Sequence, residues 1–135
     1  AHMMSAAAMG ATAFQKGLGA IHAMSHPVGA HFNTHHGTTN AVCMPAVLDL
    51  NAPVIADRFD LAAGYLGIEG GYEGFRAFVD SFNDSFSVPK GLGALGVTED
   101  AIPALVKGAI KDPSCGGNPV ALTEENLTAL FKAAM

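Results

Sequence analysis

Five of the six histidines fall within fifteen residues: His22, His26, His31, His35 and His36. Neutral imidazole ligates zinc and ferrous iron, and it exchanges protons near neutral pH. His22 and His26 are four apart, so on a helix they share one face. Joined by a third imidazole from a following turn, they make a metal constellation. No Asp or Glu precedes Asp49, so this constellation has no carboxylate close to it in sequence. Histidines that share one metal hold their nitrogens about 2.0–2.1 Å from it. An unbroken helix from His22 to His36 would separate the two by about 21 Å at about 1.5 Å per residue. The chain must therefore reverse between them, and Gly29, Asn33 and Gly37 suit that turn. The residues alone leave other readings open. His22 and His26 can be a hydrogen-bonded core pair, and His31, His35 and His36 can be surface residues of a loop.

The elements that must position these side chains read as helices. Residues 4–14 are rich in Ala and Met, good helix formers. Leu18, Ile21, Met24 and Val28 recur at spacings of three and four, with Pro27 marking a kink or a first turn. His31–Gly37 reads as a polar turn. Asn40–Leu50 is an apolar helix containing Pro45, Asn51–Pro53 a break, and Ile55–Leu66 a further helix. Phe75, Phe78, Val79, Phe82 and Phe86 form an aromatic stripe at helical spacing, expected to pack in the core. Thr98 and Thr123 are expected to cap the last two helices. No run of alternating β-branched residues occurs, so the fold expected is all-α, a bundle-like set of five or six helices.

Composition bounds the function. The 135 residues suit one domain, and with 50% hydrophobic and 14% charged residues the chain can bury a core. A net charge of −5 argues against a nucleic-acid partner. Two separated cysteines are too few for a disulfide scaffold and suit a cytoplasmic protein. The first 48 residues carry one formal charge, Lys16, yet Gln15, His22 and His26 interrupt their Ala- and Gly-rich run, which argues against a membrane span or a signal peptide. So uncharged a stretch reads as the interior of something larger than this chain, and self-association or exposed apolar surface is expected. Ala1-His2-Met3 has the form of a cloning scar, leaving residues 4–135 as the domain.

The stretch Gly17-Leu-Gly-Ala-Ile-His22-Ala-Met-Ser-His26-Pro-Val-Gly-Ala, then His36-Gly37 and Asn40-Ala-Val-Cys-Met-Pro45, resembles the second signature of the iron-containing (group III) alcohol dehydrogenases. Ala13-Phe14-Gln-Lys-Gly, Asn51, Asp112, Asn118-Pro119 and Thr123-Glu-Glu-Asn-Leu also fit, so the likeness runs through nearly the whole chain after residue 3.

The resemblance implies an N-terminal dinucleotide-binding domain, a C-terminal all-helical domain holding a divalent metal, Fe2+ or Zn2+, and a site in the cleft between them. It implies four metal ligands: an Asp and a His from an earlier helix, and two later histidines that match His22 and His36. It further implies that His26 relays the proton, facing substrate and nicotinamide, and that Phe14 lines the alcohol pocket. The reaction implied interconverts alcohols with aldehydes or ketones using NAD(P). This chain has no Gly-rich phosphate turn following a strand, and no Asp-x-x-x-His stretch for the first two ligands. It therefore reads as a partial C-terminal domain, inactive alone, to be completed by the missing dinucleotide-binding domain. The alternatives are a non-catalytic helical module and a small metal-binding protein using the His31–His36 loop.

Overall fold

In the computed structural model, which describes residues 1–135, six α-helices follow one another without a strand. They are α1 (His2–Ala13), α2 (Ala20–Phe32), α3 (His36–Leu66), α4 (Gly71–Ser85), α5 (Ile102–Ala109) and α6 (Glu124–Ala133), with short 3-10 turns between several of them. The all-α expectation holds.

The start of α2 is fixed from a distance. Gly19 offers no side chain to cap it, and the Ala20 N–H donates instead to Asn118 Oδ1 at 3.1 Å. Asn118 is itself held by a reciprocal amide pair with Asn51 of α3, at 3.1 and 2.9 Å. The loop before α6 thus ties the N-terminus of α2 to the middle of α3. Pro27 lies inside α2, and Gly108 of α5 packs directly against it: a Cβ at Gly108 would come within 2.8 Å of Pro27 Cβ. Glycine there lets α2 and α5 approach. Asn33 ends α2 in the left-handed region (φ 52°, ψ 39°), which Asn tolerates better than most residues. Two residues later His35 caps α3, its Nδ1 accepting from the Thr38 N–H at 3.3 Å.

The break expected at Asn51–Pro53 is a bend rather than an end. The chain stays helical through Pro53, and only Ile55 leaves helical geometry (φ −129°, ψ 33°). Proline removes one helical hydrogen bond and crowds the preceding turn, so the path bends close to it. By length and composition α3 could cross a membrane, yet Val42, Cys43 and Val47 on it belong to the core.

That core gathers Met24 and Val28 of α2, Leu92 and Val97 of the segment before α5, Leu105 of α5, and Leu127 and Phe131 of α6 around the first half of α3. Thr123 caps α6 with a full capping box to Asn126. Thr98 sits at the N-cap of a 3-10 turn but makes no side-chain cap bond, and α5 starts later, with Pro103 in its first turn.

The expectation for α4 needs correction. The aromatic stripe is not a core stripe: Val79 is buried, but Phe78, Phe82 and Phe86 are 41%, 53% and 65% exposed. The N-terminal end of the stripe does dock on α3, with Phe75 against Phe59, and Asn83 adds a hydrogen bond to the Ala41 carbonyl. Helix α1 begins at His2. None of α1 is buried, so the uncharged first third divides into an uncovered α1 and a deeply buried α2. The expected exposed apolar surface is present at Met3, Met4, Met9 and Phe14.

Candidate metal and proton-transfer site

Three of the five clustered histidines meet. His22 and His26 project from successive turns of α2, and His36 is the first residue of α3. The reversal through Asn33–His35 returns His36 to α2. Ring centroids are 5.2 Å apart for His22 and His36, 5.7 Å for His22 and His26, and 5.5 Å for His26 and His36, whose planes are within 17° of parallel. Phe14 meets His22 edge-on at 5.5 Å. A cleft of about 420 Å³ opens beside His22, with Phe14, Ile21, Val47, Asn51 and Phe59 among its lining residues. His31 and His35 stay outside the cluster. The first is exposed at the end of α2, and the second is committed to capping α3.

The ring nitrogens have defined partners. Asn40, one turn along α3 from His36, directs its amide nitrogen at His36 Nε2 (3.0 Å) and at His22 Nε2 (3.3 Å). An amide NH2 can only donate, so both Nε2 atoms present lone pairs that converge on one position. The Asn40 carbonyl oxygen is buried without a partner, so this arrangement leaves the amide half satisfied. Burial first, and then the neighbouring His36 and His26 rings, lower the His22 pKa against the opposing pull of Asp112. A neutral imidazole with an open lone pair is the form that binds a metal.

The lack of a nearby carboxylate in the sequence is made good by the fold. His26 Nδ1 lies 2.7 Å from Asp112 Oδ2, across 86 residues. Asp112 is the N-cap of the 3-10 turn at Pro113–Gly117, and its other oxygen accepts from the Ser114 N–H at 2.8 Å. Burial opposes ionisation of this carboxyl, but hydrogen bonds from Ser114 and His26 outweigh it and hold the pKa below the usual value. In the sequence, Asp112-Pro113-Ser114 shows only a turn cap. Nothing in its spacing points to His26.

Two imidazole lone pairs aimed at one position fit a divalent metal in chemistry and direction. They do not complete a site, because no three His, Cys, Asp or Glu side chains of this chain are grouped to hold an ion.

The Fe-containing alcohol dehydrogenase family, C-terminal, matches residues 1–135. A 4-hydroxybutyrate dehydrogenase of Cupriavidus necator is 36% identical over 99% of this chain and 37% of its own length. Lactaldehyde reductase of Escherichia coli K12 is also 36% identical, over 87% of this chain and 33% of its own. A crystal structure of a 1,3-propanediol oxidoreductase superposes with a TM-score of 0.82 at 30% identity, covering 87% of this chain and 33% of that one. The chain belongs to the iron-containing alcohol dehydrogenase family and corresponds to its C-terminal helical domain. It spans about a third of the length of these relatives.

Proposed function

We propose that this chain is the metal-holding helical part of a nicotinamide-dependent dehydrogenase that interconverts small alcohols with aldehydes or ketones. The observation that carries the reading is the convergence of His22 Nε2 and His36 Nε2 on one position, with His26 stacked beside it. Family membership supports it, since the relatives named above are a dehydrogenase, a reductase and an oxidoreductase.

In this reading His22 and His36 supply two ligands, an Asp and a His from a preceding helix supply the other two, and a dinucleotide-binding domain holds the nicotinamide. A divalent ion bound there provides Lewis acidity to the substrate oxygen, while the nicotinamide exchanges the hydride. Phe14 and the apolar lining of the cleft hold the alcohol's carbon chain and exclude water from it. His26 takes the hydroxyl proton, and its partly exposed ring passes that proton to solvent.

The chain by itself is proposed to be inactive as a dehydrogenase. Positioning of the reactants alone accounts for about 7–11 kcal/mol of such barriers, and no dinucleotide cradle is present here. The uncovered apolar surface of α1 is proposed to be covered by the partner domain or by self-association.

A calorimetric zinc titration of the wild type and single variants tests the ligand assignment. His22→Ala and His36→Ala should each abolish binding, while His31→Ala should leave it unchanged. Binding that survives both losses but needs His31 or His35 would replace this reading with the loop-binding one.

A further inference from the structure

The His26–Asp112 contact has features beyond a surface ion pair. The Asp112 side chain is 13% exposed and the His26 side chain 42%, so the carboxylate is the anchored partner and the imidazole the open one. The carboxylate cannot swing away freely: Ser114 holds its second oxygen, and Pro113 stiffens the turn that follows. That turn leads into Asn118, which is bonded to Asn51 of α3 and to the first N–H of α2. The segment carrying Asp112 is therefore fixed to both helices that carry the three histidines. A further contact of Gly117 with the Leu18 carbonyl leaves no room there for a side chain.

A neutral imidazole carries its proton on either Nδ1 or Nε2. A carboxylate accepts but does not donate, so its approach to Nδ1 selects the Nδ1–H form. The lone pair is then confined to Nε2, which has no hydrogen-bond partner in the protein. The same contact fixes the ring about its χ angles, and the ring lies against His36.

We propose that Asp112 is a positioning residue for His26: it holds the ring in the Nδ1–H form and turns the basic Nε2 towards the position on which His22 and His36 converge. This rests on the proposed proton-relay role of His26 and extends it, since it names the group that decides which nitrogen receives the alcohol's proton. The proton passes from the substrate hydroxyl to Nε2, so the ring becomes an imidazolium with both nitrogens protonated. The Asp112 carboxylate keeps accepting from Nδ1–H throughout. Deprotonation of Nε2 by water restores the starting form.

The test is long-range 1H–15N NMR of the histidine rings, which reads the protonation of each nitrogen directly. Wild-type His26 should show a protonated Nδ1 and a bare Nε2. Asp112→Asn keeps a side chain able to cap the 113–117 turn but removes the charge and can itself donate to Nδ1. His26 should then shift towards the Nε2–H form while the Ser114 amide resonance stays in place. A wild-type His26 protonated on Nε2, or a tautomer unchanged in Asp112→Asn, overturns the proposal. The wild-type measurement decides even if the variant folds poorly. Zinc added to the same wild-type sample separates the two readings. If the rings of His22 and His36 do not respond to zinc, the proposed function fails, whereas an Asp112-dependent tautomer still establishes the positioning.

Discussion

His22 and His36 stand with ring centroids 5.2 Å apart, and their Nε2 atoms share one amide nitrogen, that of Asn40. Fourteen residues of chain separate them, and only the turn at Asn33–His35 makes the meeting possible. Asn40 therefore stands where a shared cation would draw both lone pairs. Asn40→Ala should remove the competing amide and leave the two imidazoles free, so zinc should bind Asn40→Ala at least as tightly as the wild type. Weaker zinc binding by this variant would show that Asn40 orients the rings rather than occupying their common position. Competitive titration against a chelator reads the difference.

Stability should divide sharply between two phenylalanines. Phe131 is fully buried in the core that α6 shares with α3 and α5, while Phe86 is 65% exposed at the end of α4. Phe131→Ala should cost about 3–5 kcal/mol of unfolding free energy. Phe86→Ser should change it by no more than about 0.5 kcal/mol. Urea denaturation of the two variants measures both.

The contrast between these residues shows what the sequence could and could not convey. Composition, helical periodicity and capping residues pointed to all six helices, and periodicity gave the inner face of α2, because that face packs against neighbours within this chain. The Phe75–Phe86 stripe has the same periodicity but is largely exposed, since periodicity says which residues share a face and not whether anything covers it. The break expected at Asn51–Pro53 is a bend within α3, because proline signals an interruption without saying whether the helix continues beyond it. At the site, the i, i+4 pair and the Asn33 turn were local and therefore legible. The Asp112 carboxylate and the Asn51–Asn118 pair depend on contacts across 86 and 67 residues, which no local spacing encodes.

Acid should destabilise the fold in two steps. The folded His22 pKa is depressed, so as pH falls below the ordinary value of 6.5 the unfolded chain takes the proton first. Stability contributed by neutral His22 is present above that value and declines as pH falls through the folded pKa. Asp112 is also depressed, so its contribution is complete above the ordinary carboxyl value and is lost only below it, as the folded carboxyl protonates. His22→Ala should flatten the upper step and Asp112→Asn the lower one, in denaturation midpoints measured from pH 7 to pH 3. A His22→Ala profile parallel to the wild type would contradict the depressed imidazole.

Neither thiol should act as a nucleophile in the native protein. Cys43 is fully buried, and burial pushes its pKa up to about 12. Burial and then Asp112 raise that of Cys115, whose Sγ–H donates to the Ala109 carbonyl. Thiolate is the reactive form. Iodoacetamide at pH 8 should therefore label both only after denaturation, and rapid native labelling of Cys115, read by mass spectrometry, would show that its turn opens readily.

The claim that His22 and His36 share a metal is tested most directly by anomalous X-ray scattering from crystals grown with zinc. The predicted result is a single peak above the zinc edge, about 2.0–2.1 Å from both Nε2 atoms, with the Asn40 amide turned away. A peak at His31 or His35, or none between His22 and His36 at saturating zinc, would contradict it.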